Sequence, residues 1–144
     1  MQFVNGSLLF AGHDLDRFLA CPHGTWLDLR DLQSPLPRSK EDEQLRLFRE
    51  KGFEHEKAWL DDLKRKGFRI AEISASGSRN QRVEATLDAI NSGADYIYQA
   101  ALLSGNWHGY ADFLHRIDVP GVTRPVYEVL DTKLARTPKP EHIS

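Results

Sequence analysis

The chain has 144 residues, of which 40% are hydrophobic and 28% charged, with a single cysteine and a formal net charge of −2 at pH 7. This composition is typical of one globular domain and excludes a collagen, a coiled coil and a disulfide scaffold. The charge balance excludes binding of nucleic acid by bulk charge, although a local basic patch is still possible. One cysteine cannot form an intramolecular disulfide or a four-cysteine metal site, so we expect a cytoplasmic protein without a structural metal. No segment approaches the ~20 apolar residues of a membrane span, so no membrane partner is expected.

The predicted elements begin with helices. Short helices are expected at residues 14–20 and 22–32, because the Cys21-Pro22 step interrupts the helical pattern. A Pro/Ser connector over residues 33–39 leads into a long helix that ends near Lys66, with Ser39 as its N-cap and acidic residues in its first turn, including Glu41.

The second half of the chain is predicted to be rich in strands. A strand is expected at 68–73, a helix at 81–92, and three strands at 96–103, 107–117 and 126–133. The last three should form an antiparallel meander packed against the long helix, which is an α+β arrangement. We expect one domain, with a helical segment over 1–38 and the core over 39–144. Helix start signals near residue 140 lead us to expect the amino-terminal part of a longer protein.

Two acidic residues lie in strands that otherwise look apolar. Asp112 lies between Ala111 and Phe113, and Asp131 follows Leu130. Burial of a carboxylate is costly unless it is paired or binds a cation. The two-residue period puts Asp131 and Lys133 on one face of the last strand.

Two carboxylates beside a lysine can hold Mg²⁺ or Mn²⁺ with a phosphate oxygen, while the lysine positions the attacking water. Glu128, on the same strand, is a further candidate ligand. The alternative is an ordinary edge strand on which Asp131 and Lys133 are solvated neighbours.

The long helix adds two candidates. Its helical period predicts an apolar stripe with His55 at one edge and Glu56 at the other, so both are expected to face the core. A neutral His55 could be a further metal ligand, or a core histidine held by one hydrogen bond. The stripe consists of Leu45, Phe48, Gly52, Trp59 and Leu63.

Four ordered segments carry a family resemblance: GFEHE at 52–56, GADYIYQAAL at 93–102, GYADFL at 109–114 and YEVLDTKLAR at 127–136. Their order and spacing resemble the RecB-like nucleases of the PD-(D/E)XK superfamily. The resemblance implies a restriction-endonuclease-like core, a mixed sheet of three to four strands backed by a long helix, with short amino-terminal helices. It also implies metal-dependent hydrolysis of DNA phosphodiesters in a DNA repair, recombination or defence protein.

The same resemblance implies roles for individual residues. His55, Asp112, Asp131 and the carbonyl of Thr132 would bind Mg²⁺ or Mn²⁺, and Lys133 would be the catalytic lysine, with Glu56 and Glu128 as additional candidates. Related nucleases hold an iron–sulfur cluster with a cysteine like Cys21 and three others, but this sequence has no other cysteine.

The expected partner is DNA, single-stranded or with single-stranded ends, contacted mainly through its phosphates. Trp107 or Tyr110 could stack on an unpaired base. The candidate basic residues are Arg79, Arg82, Arg116, Arg136 and Lys139. The alternative, which the sequence favours for each of them, is a solvated surface charge or a core aromatic.

Three hypotheses follow. The first is a catalytic nuclease domain, which the resemblance places in a longer chain with a helicase or a second nuclease domain. The second is a nucleic-acid-binding module without turnover, and the third is a partner-docking domain whose acidic residues are incidental. Cation binding separates the third from the others, and cleavage separates the first from the second.

Overall fold

Six strands and four helices make up the part of the chain that the structure describes. The computed structural model describes residues 1–40 and 42–132. The α+β class is confirmed, and none of the described helices is long and apolar enough to cross a membrane. In chain order the elements are β1 Gln2–Val4, β2 Ser7–Ala11, α1 Gly12–Ala20, α2 Pro22–Gln33, α3 Glu43–Arg65, β3 Ile70–Glu72, α4 Arg79–Asn91, β4 Tyr96–Ser104, β5 Trp107–Ile117 and β6 Val126–Leu130.

The strands form one mixed sheet in the order β1-β2-β5-β4-β3, and β6 also pairs with β5. Strands β4, β5 and β6 are antiparallel neighbours, as predicted. Strand β3 runs parallel to β4, because α4 connects the two as a crossover. Strand β2 pairs in parallel with Trp107 and His108 at the start of β5, whereas β6 pairs with residues 113–117 at its end.

The expected count of three to four strands is wrong, because the hairpin β1–β2 was not predicted. Its two turn residues, Asn5 and Gly6, have φ of 49° and 80°, as a type I′ turn requires. The Asn-Gly pair is a strong hairpin signal. The flanking strand β1 is exposed at every residue, so its sequence has no buried face to show the period of a strand.

Helix boundaries follow capping side chains. The N-cap of α3 is Asp42, whose side chain accepts a hydrogen bond from the backbone of Gln44 at 3.1 Å, so the prediction of Ser39 is wrong. Glu41 lies outside the described residues. Helix α4 begins earlier than predicted, because Ser78 and Gln81 form a reciprocal capping box.

Two predicted strands are shorter than expected. Strand β3 covers only Ile70–Glu72 of the predicted 68–73, and β6 ends at Leu130. Residues 131 and 132 are described without strand structure, so the predicted strand geometry of Asp131 does not apply.

The sheet lies between α3 and α4, with a hydrophobic cluster on each face. On the α3 face, Leu60 and Leu63 pack with Tyr96 and Phe113. On the α4 face, a second cluster comprises Ile73, Ala89, Ala94, Ile97, Ala100, Ala111 and Leu114. The predicted apolar stripe of α3 is buried only toward its carboxyl end.

The amino-terminal part of that stripe was predicted wrongly. Leu45 and Phe48 are 59% and 67% exposed, because no described element packs on them.

Candidate functional site

Side chains of β4 and β5 alternate between the two faces of the sheet except at one point. On β4, Tyr96 and Tyr98 contact the α3 cluster, while Ile97 and Ala100 contact the α4 cluster. Regular alternation would send Tyr98 and Ala100 to the same face. The alternation therefore changes phase at Gln99.

Gln99 has a left-handed backbone conformation, with φ of 57°. Glutamine rarely adopts this conformation, which is strained for a residue with a Cβ atom. The register pairs Tyr98 with Phe113 and Ala100 with Ala111, so the position opposite Gln99 is Asp112. The same change of phase occurs on β5, because Ala111 belongs to the α4 cluster and Phe113 to the α3 cluster.

The side chain of Gln99 turns toward α3. Its amide donates a hydrogen bond to the carboxylate of Glu56, a residue of α3 that is only 8% exposed. Tyr98, the preceding residue, also hydrogen-bonds to Glu56. Burial raises the pKa of Tyr98 above its ordinary value, and the hydrogen bond to Glu56 raises it further. Two consecutive residues of β4 therefore hold one buried carboxylate.

Asp112 and Asp131 form a carboxyl pair beside Glu56. The pKa of Asp112 is raised to about 6, chiefly by burial and also by the hydrogen bond to Asp131 and the charge of Glu56. The backbone and hydroxyl of Thr132 donate to Asp112 Oδ2 at 3.2 and 3.4 Å, which favours the ionised form. Burial and the neighbouring carboxylates together disfavour the charged form of Asp112.

Asp112 of β5 therefore lies near two other acidic side chains, Glu56 of α3 and Asp131 in the segment after β6. We call this set the carboxylate site. Within residues 1–40 and 42–132, no group of three or more His, Cys, Asp or Glu side chains is gathered closely enough to hold a metal ion as it stands. Perturbed carboxyl groups of this kind are concentrated at functional sites.

The predicted inward orientation is correct for Glu56 and wrong for His55. His55 is exposed, whereas Glu56 is buried. The two are adjacent on a helix, about 100° apart, so one of them faces the sheet while the other turns toward solvent.

Glu128 does not join the carboxylate site through any described contact. Its carboxylate pairs across the sheet with His115 Nδ1 at 2.8 Å, and His115 stacks on Tyr96 with ring centroids 4.6 Å apart. Lys133, Arg136 and Lys139 lie outside the described residues.

Two of the predicted DNA contacts lie together at the start of α4. The guanidinium of Arg82 lies 4.4 Å from the ring centroid of Tyr110, and His108 packs edge-on against the same ring at 6.0 Å. Burial lowers the pKa of His108, and the charge of nearby Arg79 lowers it further. We call Arg79, Arg82, His108 and Tyr110 the basic-aromatic cluster. Tyr110 is 48% exposed and is two residues from Asp112 on β5.

Arg116 is not part of this cluster. Its guanidinium donates to the carbonyl of Gly93 at 3.2 Å, near the opposite end of β5. Trp107, at the first position of β5, is 47% exposed and packs against Phe10.

Sequence reasoning missed two residues of the candidate site, Tyr98 and Gln99. Gln99 is a polar residue within an apolar strand, which is the same signal that singled out Asp112, so it could have been found. Its backbone conformation has no comparable signature in the sequence.

No family model, curated protein or solved structure matches this chain.

Proposed function

We propose that this chain is a Mg²⁺- or Mn²⁺-dependent deoxyribonuclease domain with a restriction-endonuclease-like core, which hydrolyses DNA phosphodiester bonds. The observation that supports this most strongly is the carboxylate site, in which Asp112 lies near Glu56 and Asp131. The resemblance of its sequence segments to RecB-like nucleases agrees with this reaction class.

The chemistry of the donors suits a hard divalent cation, which would have to draw them closer together than they lie in residues 1–40 and 42–132. Carboxylate and carbonyl oxygens are the ligands that Mg²⁺ and Mn²⁺ prefer, and Glu56, Asp112, Asp131 and the Thr132 carbonyl can supply them. Burial and the neighbouring carboxylates raise the pKa of Asp112, and a bound cation would stabilise the ionised form that they disfavour. Exposed His55 is a weaker candidate ligand than Glu56.

When bound, the metal would supply Lewis-acid stabilisation of the phosphate and a more acidic water. The chain's own residues would orient the metal, hold its ligands in place and position the attacking water. Asp112 and Asp131 would orient the ion, Gln99 and Tyr98 would hold Glu56 in place, and Lys133 would position the attacking water. Lys133 immediately follows Thr132, whose backbone already donates to Asp112.

The basic-aromatic cluster supports a single-stranded substrate. Cationic side chains interleaved with an exposed aromatic ring are typical of surfaces that bind a phosphate backbone and stack an unpaired base. Tyr110 and Asp112 are two residues apart on β5, so a strand that stacks on Tyr110 would pass near the carboxylate site. In this proposal the domain belongs to a longer DNA-processing chain with a helicase domain.

The direct test is cleavage of end-labelled single-stranded DNA by the purified chain with Mn²⁺, compared with Asp131→Asn. Cleavage by the wild type that the variant lacks would support the proposal. Mn²⁺ binding without cleavage would favour the nucleic-acid-binding module, and the absence of both would favour the docking domain.

A further inference from the structure

The backbone of Gln99 is held from the α4 face of the sheet, opposite the carboxylate site. Arg82 Nη2 donates to the carbonyl oxygen of Gln99 at 3.4 Å. The same guanidinium lies 4.4 Å from the Tyr110 ring centroid, so two contacts fix its position. Arg82 therefore contacts the one residue of β4 with a left-handed backbone.

Thr86 holds the other side of the irregular segment. It is 1% exposed, and its hydroxyl donates to the carbonyl of Arg82 at 2.8 Å while accepting from the backbone of Ala101 at 3.0 Å. The two α4 residues thus bind backbone groups of β4 at positions 99 and 101, on either side of Ala100. We call Arg82 and Thr86 the brace.

A left-handed glutamine persists only where its surroundings impose that conformation. The conformation has a consequence on the opposite face, because it sends Gln99 to the same side as Tyr98 and lets its amide reach Glu56. In a regular strand, the side chain of residue 99 would point toward α4 instead. The backbone conformation of Gln99 therefore links the brace on one face to the carboxylate site on the other.

We propose that Arg82 and Thr86 are positioning residues, which hold Gln99 in its left-handed conformation so that its side-chain amide fixes Glu56 in the carboxylate site. Arg82 thereby has a role through the backbone in addition to any contact with a phosphate. The consequence for metal binding rests on the proposed function, whereas the brace itself can be tested without metal or DNA.

The first experiment compares Arg82→Met with Arg82→Lys and with the matched control Arg79→Met by NMR on the metal-free protein. Arg79 is on the same helix turn, and its guanidinium contacts Gln2 rather than β4. The readouts are the side-chain amide resonances of Gln99 and the coupling between its amide and α hydrogens, which reports φ. Arg82→Met should shift both toward an extended, solvent-exposed residue, Arg82→Lys should restore part of the wild-type values, and Arg79→Met should leave them unchanged. Unchanged Gln99 signals in folded Arg82→Met would overturn the proposal.

A second measurement covers the case in which Arg82→Met is too unstable for NMR. Glycine adopts positive φ without a Cβ penalty, so Gln99→Gly should make the strand independent of the brace. Arg82→Met should then lower Tm less in the Gln99→Gly background than in the wild type. Equal loss of Tm in both backgrounds would contradict the role of the brace. Thr86→Val should act like Arg82→Met, and Thr86→Ser, which keeps the hydroxyl, should not.

The link to the site is tested by Mn²⁺ affinity. Loss of a residue that orients a metal ligand usually weakens binding by about 10- to 100-fold, and we expect a weakening in this range for Arg82→Met but not for Arg79→Met. If the wild type binds no Mn²⁺, the proposed function fails, while the NMR comparison still decides whether the brace holds Gln99.

Discussion

Glu56, on helix α3, accepts a hydrogen bond from the side-chain amide of Gln99, a strand residue whose left-handed backbone departs from the regular β conformation. This contact fixes the buried carboxylate of Glu56 next to Asp112, whose pKa it helps to raise. An irregularity in the strand and an excess of negative charge thus occur at the same place. Strained backbone and perturbed carboxyl groups are both concentrated at functional sites.

The adjacent residues His55 and Glu56 provide a matched pair of substitutions. Glu56→Gln removes a buried carboxylate of the site and should weaken Mn²⁺ binding by at least about tenfold. His55→Ala changes an exposed side chain and should leave the affinity within about twofold of the wild type. Calorimetric titration of Mn²⁺ into the two variants decides whether Glu56 or His55 is the metal ligand. A larger loss in His55→Ala would restore the histidine as the ligand.

Asp112 should make the stability of the metal-free protein depend on pH. Its pKa is about 6 in the folded state against an ordinary value of 3.8, so between these two pH values the unfolded chain loses a proton that the folded chain keeps. The free energy of unfolding should therefore fall as pH rises from about 4 to about 6 and then level off. The full displacement is worth at most about 3 kcal/mol, which solvent screening at this half-buried carboxyl reduces to about 1 to 2 kcal/mol.

Asp112→Asn isolates this contribution, because the amide oxygen can still accept from Thr132 while the charge is gone. The variant should be more stable than the wild type at about pH 7.5, by about 1 to 2 kcal/mol, and should lose most of that advantage at about pH 4. Urea denaturation at the two pH values measures the difference. An advantage that is the same at both would mean that the charge of Asp112 is not the cause.

Substitution of Lys133 should distinguish Mn²⁺ and DNA binding from cleavage. In the proposed mechanism this lysine positions water and holds no metal, so Lys133→Ala should bind Mn²⁺ and DNA like the wild type but cleave at least about 100-fold more slowly. Lys64→Ala is a suitable control, because Lys64 pairs with Glu72 on the surface and belongs to no proposed site. Cleavage by Lys133→Ala at the wild-type rate would remove Lys133 from the mechanism.

The basic-aromatic cluster predicts which residues contact DNA. Tyr110→Leu and Arg79→Gln should each weaken binding of single-stranded DNA, and Arg79→Gln should also reduce its salt dependence. Arg116→Gln should have little effect, because Arg116 bonds to Gly93 outside the cluster. Fluorescence anisotropy at two salt concentrations measures both properties. Equal losses in all three variants would indicate a diffuse electrostatic surface.

Much of the fold could be predicted because its elements have strong local signals. The antiparallel order of β4, β5 and β6 follows from strand patterns and short connections, and the start of α2 follows from Pro22. The hairpin around Asn5 and Gly6 was missed because its first strand buries no side chain. The N-cap of α3 was misplaced because Ser39 and Asp42 both fit the capping pattern, and only the structure distinguishes them.

The candidate site could be predicted in part. Asp112 and Asp131 were singled out because acidic residues in apolar strands are anomalous, and Asp131 contributes to the raised pKa of Asp112. The choice between His55 and Glu56 could not be made, because both lie at the edges of a helical stripe and the rotation of α3 depends on tertiary packing. The contact of Gln99 with Glu56 depends on a left-handed backbone that no local residue pattern specifies.

The most direct test of the proposed function is calorimetric titration of Mn²⁺ into the wild-type chain and into Asp112→Asn, followed by incubation of the same samples with single-stranded DNA. Asp118→Asn, at an exposed position just after β5, controls for loss of one negative charge. We predict saturable binding and cleavage by the wild type and by Asp118→Asn, and the loss of both in Asp112→Asn. Mn²⁺ binding of equal strength in Asp112→Asn, or none in the wild type, would contradict a metal-dependent nuclease built on this carboxylate site.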